Sequence, residues 1–215
     1  MSHRRRIFPI GQYYHVFNKS IAGFKIFDNN PNRKRFLLAL SYYKDILIKQ
    51  SLALVLRHPN AQIGDLLAES PEHGIKIICY TIMPTHYHLA VKILKHNFLS
   101  KYMNNVENSY TRFFNTKLER KGPLWQSKFQ AVRVKSGEQF LHLTRYIHLN
   151  PTSSGLVDIP ENWPFSSYSA YINDNHVFEN LPELGISDPN QYRHFVKDQQ
   201  DYQRHLQILK KLFLE

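Results

Sequence analysis

A single cysteine, Cys79, stands in 215 residues. That excludes an internal disulfide framework and any all-cysteine zinc site. It lies in the apolar run 75–83 and reads as a core-strand residue rather than a reactive thiol. Glycine and proline are scarce, at 8 and 11 residues, which excludes a collagen-like or low-complexity chain. No apolar run approaches the length of a membrane span. The basic start, Met1-Ser2-His3-Arg4-Arg5-Arg6, meets polar Gly11-Gln12 too soon for a signal peptide, so a soluble intracellular protein is expected. Acidic residues are the last shortage: 17 Asp and Glu stand against 28 Lys and Arg, for a net charge of +11. A fold does not need that imbalance, but a polyanionic partner does, so nucleic acid or an anionic membrane surface is expected.

What is present suits one domain with an extension, because 42% hydrophobic residues can build a sizeable core. Gln12–Lys19 is rich in aromatic and β-branched residues and reads as a strand. Phe36, Leu40, Tyr43 and Leu47 then recur at helical spacing, predicting a helix over about 32–50. Residues 57–74, punctuated by Pro59, Gly64, Pro71 and Gly74, read as a surface loop or short helix. A hairpin follows, Ile75–Ile82 with Tyr87–Ile93, and then a helix over about 97–118. Phe129–Val134 alternates as a fourth strand. Ser136 and Gln139 form a capping box, opening a helix that Pro151 should stop near Asn150. An antiparallel α+β fold of ferredoxin-like or RRM-like type, with helices on one face of the sheet, accommodates this order. Residues 1–11 form a basic arm and 12–152 the main domain. Residues 153–215 form a carboxy-terminal extension, irregular to about 190, with Tyr192, Phe195, Tyr202, Leu206, Leu209 and Phe213 striping a last helix.

Two constellations could carry chemistry. His86 and His88 flank Tyr87 on a strand, so both imidazoles leave one face about 7 Å apart and can share a metal. With 12 histidines in the chain, chance alone supplies about 0.66 such pairs, so spacing leaves packing and metal binding both open. Tyr146 and Asn150 lie four apart on one side of the helix whose buried stripe is Phe140, Leu143 and Ile147. Tyr146, one residue off that stripe, suits a nucleophile on a rigid base and equally a packing tyrosine.

Five blocks occur in the order of one family. They are Tyr14-His15-Val16-Phe17-Asn18, Met83-Pro84-Thr85-His86-Tyr87-His88-Leu89, and Gly122-Pro123-Leu124-Trp125-Gln126-Ser127-Lys128-Phe129. Tyr146-Ile147-His148-Leu149-Asn150-Pro151 and Trp163-Pro164-Phe165-Ser166-Ser167-Tyr168 complete the set. Together they resemble the HUH single-tyrosine transposases, especially the REP-associated branch. The resemblance implies a metal-binding pair at His86 and His88, a nucleophile at Tyr146, and Asn150 completing the metal site. It implies Mg²⁺ or Mn²⁺ as the metal, single-stranded or hairpin DNA as the partner, and a bacterial cytoplasmic, nucleoid-associated location. The reaction implied is cleavage and rejoining through a 5′-phosphotyrosine, with the metal polarising the phosphate.

DNA contacts are expected from Arg4, Arg5 and Arg6 and from Trp125, Gln126 and Lys128, with Trp125 either stacking on a base or anchoring its loop. Lys210 and Lys211 flank the last apolar stripe, which packs on its own domain or forms a dimer contact. His148 replaces an acidic residue common in relatives and is expected at the surface. Thr152-Ser153-Ser154 replaces an expected basic contact. The rival readings are a replication or conjugation nickase using Tyr13 or Tyr14, and a nucleic-acid-binding module with an idle site.

Overall fold

The computed structural model describes residues 6–57, 72–174, 177, 181 and 184–199. Strands β1 (Tyr13–Lys19), β2 (Ile75–Ile82), β3 (His86–Ile93) and β4 (Gln130–Val134) form one antiparallel sheet in the order β2-β3-β1-β4. Helices α1 (Asn30–Tyr42) and α3 (Phe98–Lys117) are the crossovers, which makes the arrangement ferredoxin-like. The short α2 (Leu52–Val55) lies between α1 and β2.

Alternation along β1 sets the two faces. Tyr14, Val16 and Asn18 are buried beneath α1 and α3, while Tyr13, His15 and Phe17 point the other way. The first face carries the larger core, in which Tyr87, Leu89 and Val91 of β3 meet Phe36, Leu40, Tyr102, Val106 and Tyr110. Burying each such side chain is worth about 1.5–3 kcal/mol, so this layer supplies most of the driving force. The second face is covered only in part. Helix α4 (Gly137–Ser153) lays Phe140, Ile147 and Leu149 on Ile78, Cys79 and Ala90. Helices α5 (Tyr168–Asn173) and α6 (Pro189–Lys197) add Tyr171, Tyr192 and Val196 behind it. Helices thus occupy both faces. The expected single layer holds for α1 and α3, and α4 lies opposite because its apolar stripe matches the sheet surface they leave bare.

Three boundaries differ from the sequence reading. Helix α1 stops at Tyr42, not near residue 50, because Asp45 caps its own turn (Leu47 N to Asp45 Oδ1, 2.7 Å) and bridges to His73. Helix α4 runs through Pro151 to Ser153. Proline there forfeits one bond, to the Ile147 carbonyl. The turn beyond is held by Ser154 N to Asn150 O at 3.0 Å and Leu156 N to Pro151 O at 3.0 Å. Within 153–190, residues 165–167 pair with the outer edge of β2, through Ile82 N to Phe165 O at 2.9 Å and Ser167 N to Tyr80 O at 3.0 Å. The Trp163–Tyr168 block therefore covers an otherwise open strand edge. Tyr202, Leu206, Leu209, Lys210, Lys211 and Phe213 lie outside the described residues, as does most of the 57–74 loop.

Candidate active site

The bend at Met83–Thr85 is closed by Met83 N to His86 O at 2.8 Å, and it starts β3 at His86. Alternation then sends His86 and His88 to the face crossed by α4. Tyr87, between them, enters the opposite core, fully buried, and donates its hydroxyl to Glu107 Oε1 at 2.7 Å. Register with β1 places Lys19 opposite His86, Phe17 opposite His88 and His15 opposite Ala90, all on the site face.

His15 is the residue the sequence reading left without a role. Its Nε2 lies 3.0 Å from His88 Nδ1, and the two rings stack at 5.1 Å. His86 Nδ1 is likewise engaged, 2.9 Å from Thr85 Oγ1. Each imidazole of the pair is thus fixed through Nδ1, while its Nε2 makes no hydrogen bond among the described residues. Burial pushes His15 and His86 down to about 4, with Lys19 adding to the effect at His86. His88 is pushed well below its ordinary 6.5, by burial first and then by His86 and His15. All three are neutral near pH 7, the form whose lone pair can bind a metal.

Tyr146 approaches from above. Ser136 accepts from Gln139 N at 3.1 Å, and Gln139 Oε1 accepts from Lys135 N at 2.7 Å, so the capping pair fixes the start of α4. Phe140 and Ile147 seat the helix, which leaves Tyr146 at its rim with 37% of its surface exposed. Its ring meets His88 edge-on at 5.5 Å and His15 at 5.9 Å, and its hydroxyl makes no hydrogen bond among the described residues. Asn150, one turn on, is buried and donates from Nδ2 to the Tyr146 carbonyl at 3.1 Å. The structure therefore brings together His15, His86, His88 and Tyr146, and holds Asn150 by a bond within its own helix.

No set of three His, Cys, Asp or Glu side chains among the described residues could hold a metal ion. His15 is not a third ligand, because its facing nitrogen is spent on His88. Two adjacent neutral imidazoles with both Nε2 atoms unspent still fit a divalent cation whose remaining ligands are oxygens. A further observation on this face is Thr81, opposite His88 on β2, whose hydroxyl is buried without a partner.

The expected DNA contacts divide. Trp125 anchors its loop: its ring packs on Tyr87 at 5.6 Å and Phe27 at 6.1 Å, and Nε1 donates to Thr111 Oγ1 at 3.0 Å. The indole is committed to the core, so base stacking is not carried forward. Gln126 and Lys128 are exposed, and Gln126 N donates to the Lys19 carbonyl at 2.9 Å, which places their loop beyond the His86 end of β1. Arg6 reaches β4, 3.4 Å from both Phe129 O and Gln130 Oε1, whereas Arg4 and Arg5 lie outside the described residues. His148 is not at the surface. It is fully buried, with Nδ1 2.7 Å from Tyr192 Oη and Nε2 2.8 Å from Ser167 Oγ, because α5 and α6 close over that side of α4. Thr152 and Ser153 are buried as well. Tyr14 sits in the opposite core against Phe8, and Tyr13 packs on Phe140 at 4.7 Å.

Comparison with known proteins agrees with this picture. The family described as "Transposase IS200 like" matches residues 54–150. A protein of Haemophilus influenzae carrying the name REP-associated tyrosine transposase is 23% identical over 149 residues, 63% of this chain and 84% of that one. The fold matches a solved REP-associated tyrosine transposase bound to a REP hairpin. That match has a TM-score of 0.56 and 18% identity, covering 81% of this chain and 87% of the other. The chain is thus similar, in sequence and in fold, to the IS200-like tyrosine transposases and their REP-associated branch, as the five sequence blocks indicate.

Proposed function

We propose that this chain is a metal-dependent, site-specific single-stranded DNA endonuclease and strand transferase acting on hairpin-forming DNA. Tyr146 is the nucleophile, and His86, His88 and Asn150 hold the metal. The observation that carries the reading is an unbonded Tyr146 phenol, partly exposed, against a histidine pair whose Nε2 atoms are unspent. Its likeness to a transposase whose solved structure holds a REP hairpin supports a transposase-like, DNA-acting role with hairpin DNA as partner.

A divalent cation, Mg²⁺ or Mn²⁺, supplies Lewis-acid polarisation of a non-bridging phosphate oxygen when bound. The protein does the rest. His15 and Thr85 orient the two imidazoles, and α4 holds Tyr146 at the rim of the sheet. As Tyr146 Oη bonds to phosphorus, the phosphorus–O3′ bond breaks. The 3′ oxygen leaves as a hydroxyl, and the phenolic proton departs during the step. An ordinary phenol titrates near pKa ~10, so removal of that proton is part of the barrier. The 5′-phosphotyrosine conserves the bond energy, and a 3′-hydroxyl attacking it reverses the step without ATP.

The nickase reading, through Tyr13 or Tyr14, loses ground because Tyr14 faces the other core and Tyr13 packs under Phe140. The test is a denaturing gel of labelled hairpin oligonucleotides incubated with Mn²⁺ and either the wild-type chain or Tyr146→Phe. Wild type gives a covalent adduct and the variant loses it by about 10³-fold or more. Because the Tyr146 hydroxyl makes no hydrogen bond among the described residues, thermal stability stays close to wild type. Adduct surviving in the variant transfers the role to another tyrosine. Binding without adduct across a panel of hairpins leaves only a binding module.

A further inference from the structure

The site face of the sheet continues past the histidines into a strip that the described residues cover only in part. Phe17, opposite His88 on one side and Gln130 on the other, is half-buried, with its ring 4.8 Å from His15 and 5.9 Å from His88. Val132, opposite His15 on β4, is 52% exposed. Both are apolar side chains on a solvent-facing sheet surface, whereas Tyr14 and Val16, on the other face of β1, are buried. The strip ends at exposed Lys19, the direct cross-strand neighbour of His86. None of the four strands contains an acidic residue, and Lys19, Lys76 and Lys92 stand on this face. Arg6 leans on Gln130 from beyond the edge.

We infer that Phe17 is a stacking platform for a nucleobase next to the scissile phosphate. The inference deepens the proposed reading and rests on it for the identity of the strand. An aromatic ring on an open sheet, flanked by cations and free of carboxylates, matches an unpaired nucleotide in both parts. The ring takes the base's π-face, and Lys19 takes the phosphodiester. A phosphate held between the histidine pair and Tyr146 leaves its attached nucleoside within one strand spacing of Phe17, since Phe17 and His88 are direct cross-strand neighbours. Val132 and Gln130 flank the place where the sugar and base edge would rest.

The test reads binding, not cleavage. Full chains carrying Tyr146→Phe are titrated, in EDTA, with fluorescein-labelled single-stranded oligonucleotides bearing one abasic nucleotide at successive positions. One abasic position weakens binding about 10-fold, and Phe17→Leu weakens the intact oligonucleotide by a similar factor, as expected for one lost stack. Combining the two costs no more than either alone, and Phe17→Tyr restores affinity. A Phe17→Leu chain that binds as its parent does, or whose loss adds fully to that of every abasic position, overturns the platform. Phe17→Trp covers the case in which the leucine chain does not fold. Its new indole is quenched by the intact strand and not by the abasic one, and equal quenching by both overturns the inference. Coupling in these titrations, with no adduct from the wild-type chain on the denaturing gel, loses the nuclease reading and keeps the platform. A chain that forms the adduct without the coupling loses the platform alone.

Discussion

Two buried histidine sites lie on opposite sides of helix α4, and their difference separates architecture from chemistry. His148 is completely buried and both ring nitrogens are spent, on Tyr192 and Ser167. Burial pushes it down to about 3, so it is a neutral ring serving as a hydrogen-bonded strut between α4, α6 and the β2 edge. His88 is nearly as buried, at 7% exposure, but only Nδ1 is spent, on His15. Burial alone therefore does not mark a functional histidine. What sets the His86–His88 pair apart is an Nε2 on each ring that is unspent among the described residues, beside the Tyr146 ring.

Exchanging the roles of these sites on paper gives the largest expected effects. His88→Ala removes one of the three proposed metal ligands and should lower Mn²⁺-dependent cleavage by about 10²-fold or more. Its melting temperature should fall less than that of His148→Ala, because the His88 ring loses one hydrogen bond where the His148 ring loses two. His148→Ala should do the reverse. It empties a buried site and removes the hydrogen bonds to Tyr192 Oη and Ser167 Oγ, costing about 3 kcal/mol in urea unfolding, while the Mn²⁺ concentration for half-maximal cleavage by the folded fraction stays put. If the two variants cannot be told apart by these measurements, the distinction between the sites fails.

His15→Ala sharpens the comparison from within the site. An orienting partner of this kind typically controls 10–100-fold in metal affinity, so half-saturating Mn²⁺ should rise by about 10-fold. His15→Gln, whose Oε1 keeps an acceptor for the His88 Nδ1–H, should recover part of it. An unchanged Mn²⁺ titration would reduce His15 to a packing residue.

The smallest effect tests the opposite face. Glu107 is buried there between Asn18 Nδ2 at 2.8 Å and Tyr87 Oη at 2.7 Å, and burial pushes its carboxyl up from 4.5 to about 7. Between those values the folded state holds a proton that the unfolded state has lost. The stabilising contribution is thus full below pH 4.5 and declines as pH rises through 7. Glu107→Gln lacks this term. Melting curves from pH 4.5 to 8 should show the variant gaining on wild type as pH rises, and parallel curves would contradict the shift.

Much of this was legible in the chain. The aromatic run at 13–19, the hairpin at 75–93 and the Ser136 capping pair are local signals, and the structure honours each within a residue or two. The reading went astray where distant segments meet. Asp45 turns the chain toward His73 and ends α1 early, and His148, expected at the surface, is closed over by α5 and α6. For Trp125, open between stacking and anchoring, packing against Phe27, Phe36, Tyr87 and Tyr110 favours the anchor. His15 lay inside one of the recognised blocks, and alternation alone put it on the face away from Tyr14. What was missing was the register that sets it beside His88.

The net charge of +11, the lone cysteine and the ordered blocks belong to the sequence itself, since they follow from residue identity and spacing along one chain. They sufficed to indicate an anionic partner, a ferredoxin-like sheet and the family likeness. Only the tertiary structure decided which nitrogen of each histidine is spent, that His148 is a strut, and that Phe17 is only half-buried. Cross-strand register and helix docking set those outcomes, because contacts between segments separated by 70 or more positions (His15 with His88, Arg35 with Ser109) depend on how faces pack. Local periodicity determines which side a residue takes, and packing determines what it meets there.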